Sequence, residues 1–194
     1  MKDVSFKDFD ILSEQDKSEA VALLQRYDQL EKQDDCQNDF ISFLNHMWPD
    51  FIEGRHHKII ADKFNRIAEG KLKRLIVCLP PRHSKSEFAS TFFPAWMMGR
   101  RGNLKIIQTT HTAELAVRFG RKVRNIIDST EYQHIFPDLK LQADNKSAGR
   151  WTSNQEGEFF AAGVGGAITG RGADLLIIDD PHSEQDALSP KSLE

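Results

Sequence analysis

The sequence predicts an α/β fold: a parallel sheet covered by helices on both faces, with a helical appendage at the N-terminus. Three observations carry that prediction. Short apolar runs alternate with longer stretches of helical periodicity, the order in which a parallel sheet is wound. One apolar run, Leu75-Ile76-Val77-Cys78-Leu79, leads into the loop Pro80-Pro81-Arg82-His83-Ser84 and then into Lys85-Ser86-Glu87 and a helix-compatible segment. Another, Leu175-Leu176-Ile177-Ile178, ends in two carboxylates, Asp179 and Asp180.

Taken in order, residues 13–33 read as a helix with Ser13 or Asp16 as N-cap. Ala20, Leu23, Leu24, Tyr27 and Leu30 recur along it at helical spacing. The polar stretch Lys32-Gln33-Asp34-Asp35 reads as a linker. Residues 1–37 are therefore an appendage, expected to pack on the core, with engagement of a partner as the alternative. Residues 38–194 form the main domain. Asn38 caps a second helix carrying Phe40, Ile41, Phe43, Leu44 and Met47, which Pro49 stops. A third helix over 56–68 places Ile59, Ile60, Phe64 and Ile67 on one face, with Gly70 beyond its end. The first core strand is 75–79, followed by the loop and a helix over 85–98. A strand over 105–109 precedes a helix over 112–128 that carries Leu115, Ala116, Phe119, Val123, Ile126 and Ile127. Further strands are expected at 158–162 and 175–179.

The chain has 194 residues, enough for one domain with a substantial core. With 39% hydrophobic and 28% charged residues it has the composition of a globular protein. Its formal net charge of −3 means that any contact with DNA comes from a local patch or from chain outside this sequence. Cys36 and Cys78 have no metal-ligand spacing and read as reduced thiols, Cys78 within an apolar strand. No apolar run approaches the ~20 residues that cross a bilayer. Asp3, Asp8 and Asp10 among the N-terminal phenylalanines do not form a signal peptide. A cytoplasmic protein with no membrane partner is expected.

Strand, loop, lysine, hydroxyl and helix follow one another here in the order of a phosphate-binding loop. In such a loop backbone N–H groups wrap the phosphates, the lysine neutralises the β/γ oxygens, and the hydroxyl helps to hold Mg²⁺. Leu79 and Ser84 stand where the two glycines of G-x-x-x-x-G-K-[ST] belong. Alone, the segment reads equally well as a strand ended by proline with a surface lysine. An acid at the end of a buried strand is what a nucleotide triphosphatase needs to hold Mg²⁺ beside that loop. Alone, this too has a plain reading, a core strand whose acids cap the next helix. Both signals together, in this order, point to a nucleotide triphosphatase.

The segments Leu79-Pro80-Pro81-Arg82-His83-Ser84-Lys85-Ser86-Glu87 and Thr169-Gly170-Arg171-Gly172-Ala173-Asp174-Leu175-Leu176-Ile177-Ile178-Asp179-Asp180-Pro181-His182 closely resemble the large terminase subunit of tailed bacteriophages and prophages. That family uses a divergent Walker A in which a Pro-Pro-Arg-His form replaces the glycine-rich one. Two more segments agree, Ile106-Ile107-Gln108-Thr109-Thr110-His111-Thr112-Ala113-Glu114-Leu115-Ala116 and Gly54-Arg55-His56-His57-Lys58-Ile59-Ile60. The resemblance covers the chain from about residue 40 to its end. It implies an ASCE-type P-loop domain that hydrolyses ATP with Mg²⁺ to drive double-stranded DNA through a portal into a procapsid. It also implies a homo-oligomeric ring working with the portal protein and the small terminase subunit, in the cytoplasm of a host bacterium. The sequence stops 14 residues after Asp180. The expectation is thus an ATPase domain incomplete at its C-terminal end, without its nuclease, that turns over slowly and cuts no DNA.

The same resemblance assigns roles. Lys85 neutralises phosphate charge, while Ser86 and Asp179 hold the metal. Pro81, Arg82, His83 and Ser84 complete the nucleotide loop, with Arg82 reaching toward the γ-phosphate. Arg55 and His57, with His56 between them, border the adenine; their spacing does not suggest a metal site. Asp180 is the candidate base, although the family carries the longer glutamate there, and Glu184 is the substitute. In the glycine-rich loop 163–172, Arg171 either acts on a neighbouring subunit's nucleotide or pairs with a local acid. Arg118, Arg121, Lys122 and Arg124 form a basic helix face that either meets DNA phosphates or is simply solvated. Two other functions fit the motifs, another P-loop DNA helicase or translocase and a non-catalytic fragment that acts as a binding module.

Overall fold

Ser13 opens the first helix, α1 (Glu14–Asn38), its side chain accepting a hydrogen bond from the Asp16 amide at 3.2 Å. The computed structural model describes residues 13–166 and 168–182. α1 runs through the stretch 32–35 expected to be a linker. That stretch holds no glycine or proline to break a helix, and the turn around it is anchored. The Gln33 and Gln37 amides donate to the Ile135 carbonyl at 3.1 and 2.5 Å. Cys36 is buried, and its carbonyl accepts from the Trp96 indole at 2.9 Å. Burial, then the charges of Asp35 and Asp39, push the Cys36 thiol up to about 11, so it stays protonated. Farther back, Leu23, Leu24, Tyr27 and Leu30 are each more than half exposed, contrary to the expectation that this face packs on the core. Among the described residues, the end of α1 is what the core anchors, through Gln33, Cys36 and Gln37.

Asp39, rather than Asn38, caps α2 (Phe40–Met47), accepting from the Ser42 amide at 2.9 Å. The helix α3 (Arg55–Ala68) braces this junction through Asn65, which accepts from the Phe40 amide at 2.9 Å and donates to Asp39 at 2.7 Å. Ile60 and Phe64 of α3 face inward, whereas Ile59, expected on that face, is exposed. Phe40 sits at the centre of the core. Its ring meets Phe64, Trp96, Phe88 and Phe93 edge-on, at centroid distances from 5.1 to 5.8 Å.

Residues 85–100 form one helical run in three pieces: α4 (Lys85–Glu87), a π-helical turn (Phe88–Phe92) and α5 (Phe93–Arg100). Beyond it come β1 (Lys105–Thr110), α6 (Ala113–Ile127) and α7 (Thr130–Ile135). The chain closes with β2 (Leu141–Lys146), β3 (Arg150–Ser153), β4 (Glu158–Gly163) and β5 (Leu175–Ile178). Neither α7 nor the strands β2 and β3 were expected from periodicity.

The five strands lie in the order β2-β3-β4-β1-β5. β4, β1 and β5 are parallel, but β2-β3 and β3-β4 are antiparallel, so the sheet is mixed and not the all-parallel one expected. The reason is connection length: residues 147–149 and 154–157 are too few for a crossover and permit only a hairpin return. On one face α6 packs against β4 and β1. The packing is close at Gly120, whose carbonyl accepts from the Trp151 indole at 3.1 Å and where a Cβ would meet the Ala148 carbonyl at 2.7 Å. Helices on both faces were expected. Among the described residues β5 is the edge strand of the sheet, and Leu176 and Ile178 on its second face are exposed, so it is not the buried strand expected.

The expected first strand also differs. Residues 75–79 pair with no described strand. Leu75, Val77 and Leu79 nevertheless pack against the core while Ile76 and Cys78 face outward. Alternation reports which side chains face the interior, and a ladder needs a neighbour in register as well.

Candidate phosphate-binding site

The fold carries Lys85 to the end of β5. Its ammonium forms an ion pair with Asp180 and lies 3.4 Å from Asp179. The elements that achieve this are the start of the helical run at 85–100 and the pairing of β5 with β1. That pairing continues past the strand, with the Asp179 amide donating to the Thr109 carbonyl at 2.9 Å and the His111 amide to the Asp180 carbonyl at 3.2 Å. Burial of the Lys85 side chain works against its charge, but the Asp180 hydrogen bond and both carboxylate charges outweigh it. The ammonium is held above its ordinary pKa of 10.5.

The loop itself carries two residues in the left-handed region, Arg82 at φ 63° and Ser84 at φ 61°. Ser84 therefore takes the backbone that glycine most readily adopts, at the position where the phosphate-loop pattern has one. Its carbonyl accepts from the Phe88 amide at 2.9 Å and starts the helix. Pro81, Arg82 and His83 are exposed, and the His83 ring bonds the Pro81 carbonyl at 2.9 Å. Cavities of about 220 and 440 Å³ occur elsewhere, the first beside Phe160 and Arg171, the second beside Leu30, Cys36 and Ile135.

Two carboxylates share the cation but differ in setting. Asp179 is 7% exposed and accepts from the buried Ser90 hydroxyl at 2.9 Å. Asp180 is open to solvent, with its backbone at φ 44°. Ser90 was not foreseen in the sequence, where nothing distinguishes it from other helical serines. The Ser86 hydroxyl makes no side-chain hydrogen bond with any described residue. Glu87, next to it, forms an ion pair with Lys122 of α6.

The segment before the loop is close by. The His56 ring lies 5.4 Å from that of His83 and 3.8 Å from that of His57. His57 is buried between Phe51 and Phe88, each at 4.8 Å, and accepts the Gly54 amide proton at 3.0 Å. Burial, reinforced by His56, lowers its pKa. Arg55 is exposed. Among the described residues no group of three or more histidines, cysteines and acids is arranged to hold a metal ion.

Other expected residues lie apart from this cluster. Arg171 pairs with Glu158 at 3.0 Å and covers the Phe160 ring at 3.9 Å, the local acid among its two readings. Arg118 and Arg121 are exposed, while Lys122 is engaged by Glu87. Glu184 lies outside the described residues. No helix among the described residues is long and apolar enough to cross a membrane. Comparisons with protein-family models, with curated proteins and with solved structures gave no match.

Proposed function

We propose that this chain is the ATPase portion of a phage terminase large subunit, hydrolysing ATP to power the translocation of viral DNA into a procapsid. The observation that carries the reading is the meeting of Lys85 with Asp179 and Asp180, a loop lysine and two strand-end acids 95 residues apart in the case of Asp180. A lysine that neutralises phosphate and an acid that holds Mg²⁺ have to lie within reach of one bound nucleotide.

The residues present fit both groups on their chemistry. Asp179, Asp180 and the hydroxyl of Ser86 are hard oxygen donors of the kind that Mg²⁺ takes. Lys85, Arg82 and the amides at the start of the helical run at 85–100 suit a polyphosphate. ATP with its metal supplies the cleavable anhydride and a concentrated positive charge. The chain's part is to bind and orient. Lys85 would exchange its carboxylate partners for phosphate oxygens, Asp179 would offer an oxygen to the metal, and Arg82 would extend toward the γ-phosphate from the exposed loop. Asp180 is the acceptor for the proton of the attacking water, with Glu184 as the other candidate. Arg55 and the His56–His57 pair border the base. Double-stranded DNA, the portal protein, the small terminase subunit and further copies of the chain in a ring are the partners of this reading.

ATP hydrolysis by the purified chain, measured beside Lys85→Ala, is the test. Mg²⁺-dependent release of phosphate that the substitution abolishes supports the reading. Equal rates in both proteins rule out this loop as the site, and no nucleotide binding in either leaves a binding module as the function.

A further inference from the structure

Asp179 is held from behind by a residue outside both motifs. Ser90 lies in the π-helical turn Phe88–Phe92, is fully buried, and donates from Oγ to Asp179 Oδ2 at 2.9 Å. The other carboxylate oxygen, Oδ1, faces the Lys85 ammonium at 3.4 Å. The two oxygens thus have different settings, one tied into the core and one presented to the loop. π-turns are rare and are frequently found at functional sites. Here the turn follows α4 directly, so it sets where the side chains of residues 88–92 point relative to the loop lysine.

We propose that Ser90 is the positioning residue of the metal-binding carboxylate: its buried hydroxyl fixes Asp179 so that Oδ1 is presented to the divalent cation. The inference rests on the reading of Asp179 as a metal ligand. A hydroxyl at this position does two things. It satisfies an oxygen that would be buried without a partner, and it removes the rotational freedom that the carboxylate would otherwise lose on binding the ion. Partners of this kind behind a metal ligand typically change metal affinity about 10–100-fold when removed.

The test compares wild type with Ser90→Ala, Ser90→Thr and Ser90→Cys. Mn²⁺ binding is followed by electron paramagnetic resonance in the presence of ATP, and ATP binding is measured separately in EDTA. Ser90→Ala should weaken Mn²⁺ binding about tenfold or more while leaving metal-free ATP binding unchanged. Ser90→Thr, which keeps the hydroxyl, should stay within about threefold of wild type. Wild-type Mn²⁺ affinity in Ser90→Ala overturns the proposal, as does a folded Ser90→Thr impaired as much as alanine. If the alanine variant does not fold, Ser90→Cys carries the comparison, since a thiol is nearly isosteric but a weak donor. Wild-type affinity there likewise overturns it. Wild type that binds no Mn²⁺ with ATP sinks the nucleotide reading itself, an outcome separate from a defect or its absence in the variants.

Discussion

The Lys85 ammonium stands 3.4 Å from Asp179, a carboxylate that is only 7% exposed. A buried carboxylate without a partner costs several kcal/mol, so a charged group in that place is expected to be compensated. Among the described residues Asp179 has two compensating side-chain contacts, Lys85 on the loop side and Ser90 on the core side. Lys85 therefore has a structural task as well as a proposed chemical one: it ties the loop at 80–84 to the end of β5.

Lys85→Ala should abolish ATP hydrolysis, since loss of a transition-state phosphate contact costs roughly 3–4 kcal/mol, or 10²–10³ in rate. It should also lower stability. Breaking a fully buried pair costs about 3–5 kcal/mol. The Lys85 side chain is 26% exposed and Asp180 is open, so solvent screening reduces the expected cost to about 1–2 kcal/mol. That corresponds to a Tm lower by roughly 2–8 °C in a chain of this size. Thermal melting and phosphate release on the same preparation check both effects, and an inactive variant with unchanged Tm would deny Lys85 its structural task.

Asp179→Asn and Asp180→Asn should separate binding from chemistry. Asp179 is buried and aligned by Ser90, so its loss should remove Mg²⁺-dependent activity. Asp180 is the proposed acceptor of the water's proton, and its loss should slow hydrolysis about 10²-fold or more while nucleotide binding persists. Normal turnover in Asp180→Asn would move the base to Glu184.

How much of this was legible in the sequence differs by element. The helix over Ala113–Ile127 and the strand Lys105–Thr110 lie within a residue or so of where the sequence puts them, because the helix buries one regular face and the strand is buried on both. Thr112 caps the former as its residue type suggests, accepting from the Leu115 amide at 3.3 Å. Lys85, Asp179 and Asp180 were found as motif positions, and their juxtaposition is a consequence of the parallel pairing of β5 with β1. What the sequence hid is tertiary. β2 and β3 carry few apolar residues, β3 is only four residues long, and β2 joins the sheet through β3, which pairs with β4. The exposure of Leu23 and Tyr27 depends on what lies opposite α1, and helical spacing says nothing of that. Ser90 reaches Asp179 from within a π-turn, for which the sequence carries no signal.

Phe40→Ala should be among the most destabilising substitutions of the N-terminal half. The ring is fully buried and touches Phe64, Phe88, Phe93 and Trp96, drawn from three segments of the chain. A cavity left by phenylalanine typically costs about 3–5 kcal/mol, here a Tm lower by roughly 6–20 °C. Phe40→Leu should lose markedly less. Chemical denaturation of the two variants checks this, and near-equal losses would mean that the ring geometry, not its volume, decides.

Stability should fall as the solution is acidified from pH 7 to 5, in part through His57. Burial, reinforced by the neighbouring His56, holds its imidazole below the ordinary value of 6.5. Nδ1 accepts the Gly54 amide proton at 3.0 Å, a bond that a protonated ring cannot accept, so charging His57 also removes the cap of α3. Between the lowered and the ordinary pKa the unfolded chain binds more protons at this site than the folded one, and stability there rises with pH. The contribution is complete above about 6.5 and is lost as pH falls through the folded value. His56, His83 and Glu53 also face this ring, so the informative quantity is a difference between proteins. His57→Gln keeps an acceptor suited to the third position of a helix and cannot be charged. Melting temperatures at pH 7.5, 6.5 and 5.5 should converge in the variant relative to wild type, and parallel profiles for the two proteins would show that His57 is not the group responsible.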